Sequence, residues 1–231
     1  MAVQVSSFRL IIFDLDDTLI PSTGAYRAVE ASLSDLFSAD EYSRARNQVK
    51  ERLGDGNPMA RNRLSYFKQI LENQGKFTPT ALAQWMSLYE SRLESTLRER
   101  WIALRRNEFF KNLSSQVTCV IATNENLRTQ LIKLKLMDPE SKIFKKMLTS
   151  EEMGVEKPNP LAYVTLMKTF GVQPSEVLVV GDSFESDIEP AIKLGMNGVL
   201  TREFTLDKKT NPLCQTIEKL EALPGVLGVQ R

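Results

Sequence analysis

The stretch Arg9-Leu10-Ile11-Ile12-Phe13-Asp14-Leu15-Asp16-Asp17-Thr18-Leu19 decides how the rest of this 231-residue chain is read. A short apolar run of β-favouring residues stops at three carboxylates, Asp14, Asp16 and Asp17, within four positions. Like charges that close together are unfavourable unless a cation or a proton sits among them. A buried strand ending in such a cluster marks a place where positive charge has to be supplied.

Working outward from it, further apolar runs occur at 117–123, 177–180 and 198–200, with a shorter one at 147–149. They are Val/Ile-rich and do not alternate with polar residues, as expected of strands buried on both faces of a parallel sheet. Between the later strands the pattern is helical. Leu127, Leu131 and Leu134 predict one apolar face, and Tyr163, Val164, Met167 and Phe170 another. The second of these helices has Asn159 as its cap, Pro160 in its first turn and Gly171 at its end. Residues 187–194 predict a short helix closed by Gly195, and residues 216–220 a last one. Alternating strands and helices give an α/β fold with a doubly wound, Rossmann-like parallel sheet.

Residues 21–104 carry no strand pattern. Three helical faces are legible instead: Tyr26, Val29, Leu33 and Leu36; Leu64, Phe67, Ile70 and Leu71; and Leu82, Trp85, Met86, Tyr89 and Leu93. Breakers at 54–58 and 75–79 separate them. The chain is expected to divide into an α/β core, residues 1–20 and 105–231, and an all-helical cap, residues 21–104, inserted after the first strand.

Composition removes several classes of function. The net charge of +1 gives no electrostatic case for nucleic acid or an anionic membrane. No apolar run approaches the ~18 residues of a membrane span, and no signal-type segment precedes the first strand, so a cytoplasmic location is expected. Cys119 and Cys214 match no metal spacing, and Cys119 reads as a buried thiol. The chain contains no histidine. That excludes Ser-His-Asp triads, Cys-His pairs and histidine-ligated zinc, and leaves acid–base work to carboxylates, Lys, Tyr or metal-bound water.

In an open parallel sheet, ligands bind beyond the carboxyl ends of the strands. The predicted strand ends present Asp14, Asp16 and Asp17; Thr123 and Asn124; and Gly181, Asp182 and Ser183, with Asp187 further on. Lys157 follows in the loop Gly154-Val155-Glu156-Lys157-Pro158. Grouped carboxylates suit Mg²⁺, which takes one or two carboxylates plus waters and phosphate oxygens. A hydroxyl, backbone N–H groups and an ammonium suit the other oxygens of a phosphoryl group, and a carboxylate can itself be the nucleophile. This set fits metal-assisted phosphoryl transfer.

In order and spacing, Asp14-Leu15-Asp16-Asp17-Thr18, Thr123, Lys157 and Gly181-Asp182-Ser183 with Asp187 resemble the four motifs of the haloacid dehalogenase-like (HAD) hydrolases. The resemblance implies Asp14 as nucleophile and Asp16 as acid–base. It implies Mg²⁺ held by Asp14, the backbone carbonyl of Asp16 and Asp182, and phosphate bound by Thr123, the Asn124 N–H and Lys157. Thr18, Ser183 and Asp187 would support these from behind, with Thr18 bracing the catalytic loop. A carboxylate at position 16 points to the phosphatase branch, since an ester oxygen needs a proton to leave and a halide does not. The helical insertion resembles a C1-type cap, which closes over small substrates.

The expected partner is therefore a small phosphorylated metabolite, bound by a monomer or homodimer. A phosphomutase using the same residues, and a receiver-like phosphoacceptor module, remain open as alternatives at this level. Two local expectations follow. Asp17 should serve only the turn and tolerate replacement. The basic residues Arg44, Arg46, Lys50, Arg52, Arg61 and Arg63, interleaved with acids, should form a solvated helix surface.

Overall fold

The computed structural model describes residues 8–54, 56–205 and 210–228. The apolar run ahead of the carboxylates is strand β1 (Leu10–Phe13). With β2 (Thr118–Thr123), β3 (Phe144–Thr149), β4 (Val177–Gly181), β5 (Asn197–Thr201) and β6 (Gln215–Ile217) it makes one parallel sheet in the order β3-β2-β1-β4-β5-β6. All four residues of β1 are buried. Ile11 and Phe13 face one core layer while Leu10 and Ile12 face the other, which is why the run is apolar throughout.

The chain leaves β1 toward β2 and β3 on one side and returns toward β4, β5 and β6 on the other. The order therefore reverses around β1. A crevice opens at such a switch point, beyond the strand ends. Phe13 is in register with Ile121 of β2 and Val180 of β4, so the residues that follow these three strands emerge side by side.

Between β1 and β2 lie α1 (Ser22–Ser32), α2 (Ala39–Leu53), α3 (Arg63–Asn73) and α4 (Pro79–Leu104). A capping box of Ser38 and Glu41 starts α2, and Thr78 with Pro79 starts α4. Phe37, Tyr42, Phe67, Trp85 and Tyr89 interlock among these helices, with Phe67 and Tyr89 at 5.3 Å between ring centroids. The 26-residue α4 carries this apolar interior down to the sheet, where Trp101 stacks on Phe110 at 6.0 Å. Phe110, on α5 (Asn107–Ser114), packs edge-on against Phe13 of β1 at 6.1 Å.

The remaining helices are α6 (Leu127–Met137), α7 (Ser150–Met153), α8 (Leu161–Phe170), α9 (Glu189–Lys193) and α10 (Leu223–Val226). The cap of α8 is Pro160, one position after the expected Asn159, whose side chain accepts from the Leu161 N–H at 3.0 Å, and Gly171 closes the helix at φ +61° as expected. No helix is long and apolar enough to cross a membrane among the described residues.

Leu64 and Val164, expected on apolar helix faces, are exposed, and three larger expectations differ from the fold. Residues 216–220 are not helical: Gln215–Ile217 adds a strand to β5, and a 3₁₀ turn (Leu220–Ala222) follows. The β5 edge supplies ladder hydrogen bonds that outweigh a weak local helix preference. The helix expected at 187–194 is split, because Phe184–Ile188 is a π turn and α9 begins only at Glu189 with Pro190 in its first turn. The third concerns α6. Leu131 is half exposed, and the buried face is Thr129, Gln130, Lys133 and Met137. Apolar spacing misread that helix because its inward face is polar.

Phe110 joins α4, α5 and β1, so Phe110→Ala should lower stability by about 3–5 kcal/mol in equilibrium urea unfolding.

Candidate active site

The site assembles at the switch point from four segments. Immediately after β1, the Asp14 N–H donates to the Val180 carbonyl at 2.8 Å, which fixes the loop to the end of β4. Lys157 is brought in by the loop before α8, with Asn124 as its clamp. The Asn124 side chain accepts from the Lys157 N–H at 2.7 Å and donates to the Lys157 carbonyl at 2.8 Å. The Lys157 ammonium is then surrounded by acceptors: Asp14 Oδ1 at 2.6 Å, Asp187 Oδ1 at 2.7 Å and the Ala122 carbonyl at 2.8 Å. All three of its donors are used.

Asp187 is held as tightly. Its Oδ2 accepts from the Ser183 N–H at 3.1 Å, and its carbonyl accepts from the Tyr163 hydroxyl at 3.1 Å. The π turn places its carboxylate directly over Gly181, where a Cβ would overlap it. Position 181 therefore has room only for glycine. Ser183 also accepts from the Ser186 N–H at 3.2 Å, stabilising the same turn.

One carboxylate oxygen each of Asp14, Asp182 and Asp187 lie within 4.8 Å of one another. Three carboxylates thus face one ammonium in a largely buried space. Burial holds the Asp14 carboxyl well above the ordinary carboxylate range in spite of Lys157, and Asp187, Asp182 and Asp16 add to the rise. Burial, with the charges of Asp187 and Asp17, pushes Asp182 up to about 7. Lys157 goes well above its usual range although burial opposes this, because Asp14 and Asp187 favour the ammonium. The cluster has more negative charge than its lysine neutralises. That excess, on hard oxygen donors within reach of one another, fits a divalent cation such as Mg²⁺.

Asp16 belongs to a second, separate network. Its Oδ2 accepts from Gln130 Nε2 at 2.7 Å, and its Oδ1 is ion-paired with Lys133 Nζ, which also donates to the Tyr26 hydroxyl at 2.6 Å. Burial alone would raise the Asp16 carboxyl, but the charge and hydrogen bond of Lys133, with hydrogen bonds from Ser22 and Gln130, bring it down to about 2. Gln130 Nε2 also donates to Thr123 Oγ1 at 2.7 Å. Gln130, Lys133 and Tyr26 were not among the residues expected from sequence. The only signal of Gln130 and Lys133 was polar side chains at i, i+3 spacing on α6, beside its leucines, and Tyr26 read as part of an apolar face.

The other expected positions fall as follows. Thr18 is buried, but its hydroxyl finds no partner among the described residues, so the loop is braced by backbone bonds to the Leu15 carbonyl instead. Asp17 adopts a left-handed conformation (φ +56°), and its side chain accepts from the Thr23 N–H at 3.0 Å, tying the turn to the start of α1. Asp and Asn both tolerate that conformation. The basic cluster requires a correction. Arg44, Arg46 and Arg52 are exposed, but Arg46, with Lys50, Arg61 and Arg63, also lines a cavity of about 500 Å³ above Asp14, Thr123 and Lys157. The pattern of alternating charge could not reveal that α2 and α3 turn one flank toward the sheet. Arg61 pairs with Glu156 at 2.5 Å, and Arg63 pairs with Glu125 while stacking over the Tyr26 ring at 4.0 Å.

Comparison with known proteins agrees with this architecture. The family model for haloacid dehalogenase-like hydrolases matches residues 8–195. The chain belongs to that family. Among HAD-like hydrolases, it is 28% identical over 208 residues to a glyceraldehyde 3-phosphate phosphatase of Methanopyrus kandleri, covering 84% of each chain. It is 29% identical over 203 residues to a ribulose-1,5-bisphosphate 5-phosphatase of Halopiger xanaduensis, covering 82% of this chain and 83% of the other. A crystal structure of the HAD hydrolase YfnB from Bacillus subtilis, bound to magnesium, shares the fold. Its TM-score is 0.66 at 22% identity, over 96% of this chain and 99% of that one.

The close approach at Gly181 can be tested on stability alone. Gly181→Ala should cost about 1–3 kcal/mol in chemical denaturation, as overpacked sites do. Gly225→Ala, where nothing lies within 4 Å, should be neutral or stabilising by up to about 1 kcal/mol.

Proposed function

We propose that this chain is a Mg²⁺-dependent phosphomonoester hydrolase that works through an aspartyl-phosphate on Asp14. The observation that carries the reading is the placement of Asp14, Asp182 and Asp187 within ligand reach of one another, with Lys157 bonded to two of them. Asp14, the backbone carbonyl of Asp16 and Asp182 would hold the ion. Mg²⁺ would neutralise the phosphoryl oxygens and the crowded carboxylates. Lys157 would orient Asp14 and add a second positive charge to the phosphate. Thr123 and the Asn124 N–H would take its remaining oxygens.

In the first step an Asp14 oxygen forms a bond to phosphorus as the ester P–O bond breaks, and Asp16 gives its proton to the departing oxygen. In the second, water attacks the aspartyl-phosphate and loses a proton to Asp16, which restores Asp14 and releases phosphate. Paired with Lys133, Asp16 stands as the carboxylate the second step needs. A phosphate dianion placed beside it raises its affinity for a proton, which favours the acid form for the first.

The cavity is larger than a phosphoryl group needs, and its two ends differ in charge. Acids gather at the strand ends, whereas Arg27, Arg46, Lys50, Arg61 and Arg63, with one acid, Glu30, among them, line the side formed by the helical insertion. Arg61 and Arg63 are engaged by Glu156 and Glu125. Arg27 and Arg46 have no hydrogen bond or ion pair among the described residues, and both stand as substrate contacts, Arg46 being the one tested below. The substrate class supported is a small phosphorylated metabolite, such as a sugar phosphate, with a second anionic group away from the reacting phosphate. The two relatives above, named for a sugar phosphate and a sugar bisphosphate, are compatible with that class.

Phosphate release from 4-nitrophenyl phosphate should require Mg²⁺, stop on adding EDTA, and fall at least about 10³-fold in Asp14→Asn. Mg²⁺ should also raise the melting temperature, since it binds only the folded cluster. Activity that survives EDTA or Asp14→Asn sinks the mechanism. On matched monophosphates with and without a second phosphate or carboxylate, Arg46→Gln should reduce the preference for the doubly anionic one by about tenfold or more in kcat/KM.

A further inference from the structure

Lys133 is fully buried, and its ammonium bonds to Asp16 and to the Tyr26 hydroxyl. An ammonium in such a place is costly unless paired, and a buried ion pair is generally no more stabilising than an apolar pair of the same volume. Stability of the fold is therefore a poor reason for a lysine here. Its partner, however, is one of the acids at the strand ends.

The geometry around it is over-determined. Lys133 and Gln130 lie one turn apart on α6 and grip the two oxygens of the same carboxylate. Gln130 uses one nitrogen for Asp16 Oδ2 and Thr123 Oγ1, each at 2.7 Å, so a single side chain sets the spacing between Asp16 and the end of β2. Tyr26, on α1, closes the ring from the helical insertion, and Arg63 lies over its ring while pairing with Glu125. Helix α6 thus enters the site although none of its residues belongs to the motifs at the strand ends.

We propose that Lys133, assisted by Gln130, is the positioning residue for Asp16, holding its carboxylate at a fixed place relative to Thr123 so that it meets the ester oxygen and later the water. The proposal rests on the reading of Asp16 as the acid–base group. It assigns Lys133 no contact with substrate; the lysine acts through Asp16.

A positioning role differs from a structural one in its dependence on the leaving group. Protonation matters for a poor leaving group and little for a good one. The test measures kcat and KM on a series of substituted phenyl phosphates from phenyl to 4-nitrophenyl. Lys133→Met should lower kcat for phenyl phosphate by about 10–100-fold and for 4-nitrophenyl phosphate by less than about 5-fold, with KM little changed. In an Asp16→Asn background, Lys133→Met should add almost nothing, because both changes remove the same contribution. Gln130→Leu, checked with Lys133→Met by thermal melting, reads the same contrast if the lysine variant fails to fold. Equal loss across the series, or additive losses in the double variant, overturns the proposal. If Asp16→Asn itself shows no leaving-group dependence, the acid–base reading falls instead, and the positioning role with it.

Discussion

The interaction on which the rest depends is the buried Lys157 ammonium between Asp14 and Asp187, with the Ala122 carbonyl as its third acceptor. Three carboxylates could not share this space without it. The sheet explains why they are there at all. Reversal of strand order at β1 leaves a crevice, and parallel register delivers the ends of β1, β2 and β4 to it together. Lys157 comes from none of these strands and is fixed by the two hydrogen bonds of Asn124 to its backbone. Gly181 completes the arrangement by leaving room for Asp187.

A second buried lysine divides the acidic cluster. Lys157 serves Asp14 and Asp187, whereas Lys133 serves Asp16 alone. Asp14 and Asp16 are two residues apart and chemically identical, yet their surroundings drive their proton affinities in opposite directions. These directions are the reverse of what nucleophile and acid require; a divalent cation beside Asp14 would bring its carboxyl back down, and a bound phosphate dianion would raise Asp16 toward the acid form. The helical insertion shares in the arrangement. Tyr26 reaches Asp16 from α1, while Arg61 and Arg63 reach Glu156 and Glu125 on the core.

Much of this was legible from residue pattern. The strands around β1 could be read because burial on both faces makes them continuously apolar, and helices with apolar inward faces could be read from their spacing. The same logic misplaced α6. Its buried face contains Gln130 and Lys133, and a periodicity argument assigns polar residues to solvent. It also missed β6, where the decisive partner is a strand edge sixteen positions upstream. The charged residues of α2 and α3 were misread for a related reason, since alternating charge looks alike whether it borders water or a cavity. Asp17 illustrates the converse: the turn was foreseen, but its bond to the Thr23 N–H depends on where α1 starts.

The sequence by itself determined the parallel α/β sheet, the helical insertion after β1, the strand-end residues Asp14, Thr123 and Asp182, and the loop residue Lys157. These follow from local pattern and from the rule that parallel strands present their carboxyl ends to one edge. Only the tertiary structure decided which cation serves which acid, that Asp187 sits over Gly181, and that α6 turns Gln130 and Lys133 inward toward Asp16. The pairings of Lys133 with Asp16 and of Lys157 with Asp14 join residues 117 and 143 positions apart. They are settled by packing and by the need of every buried charge for a partner, and no local window of sequence contains either.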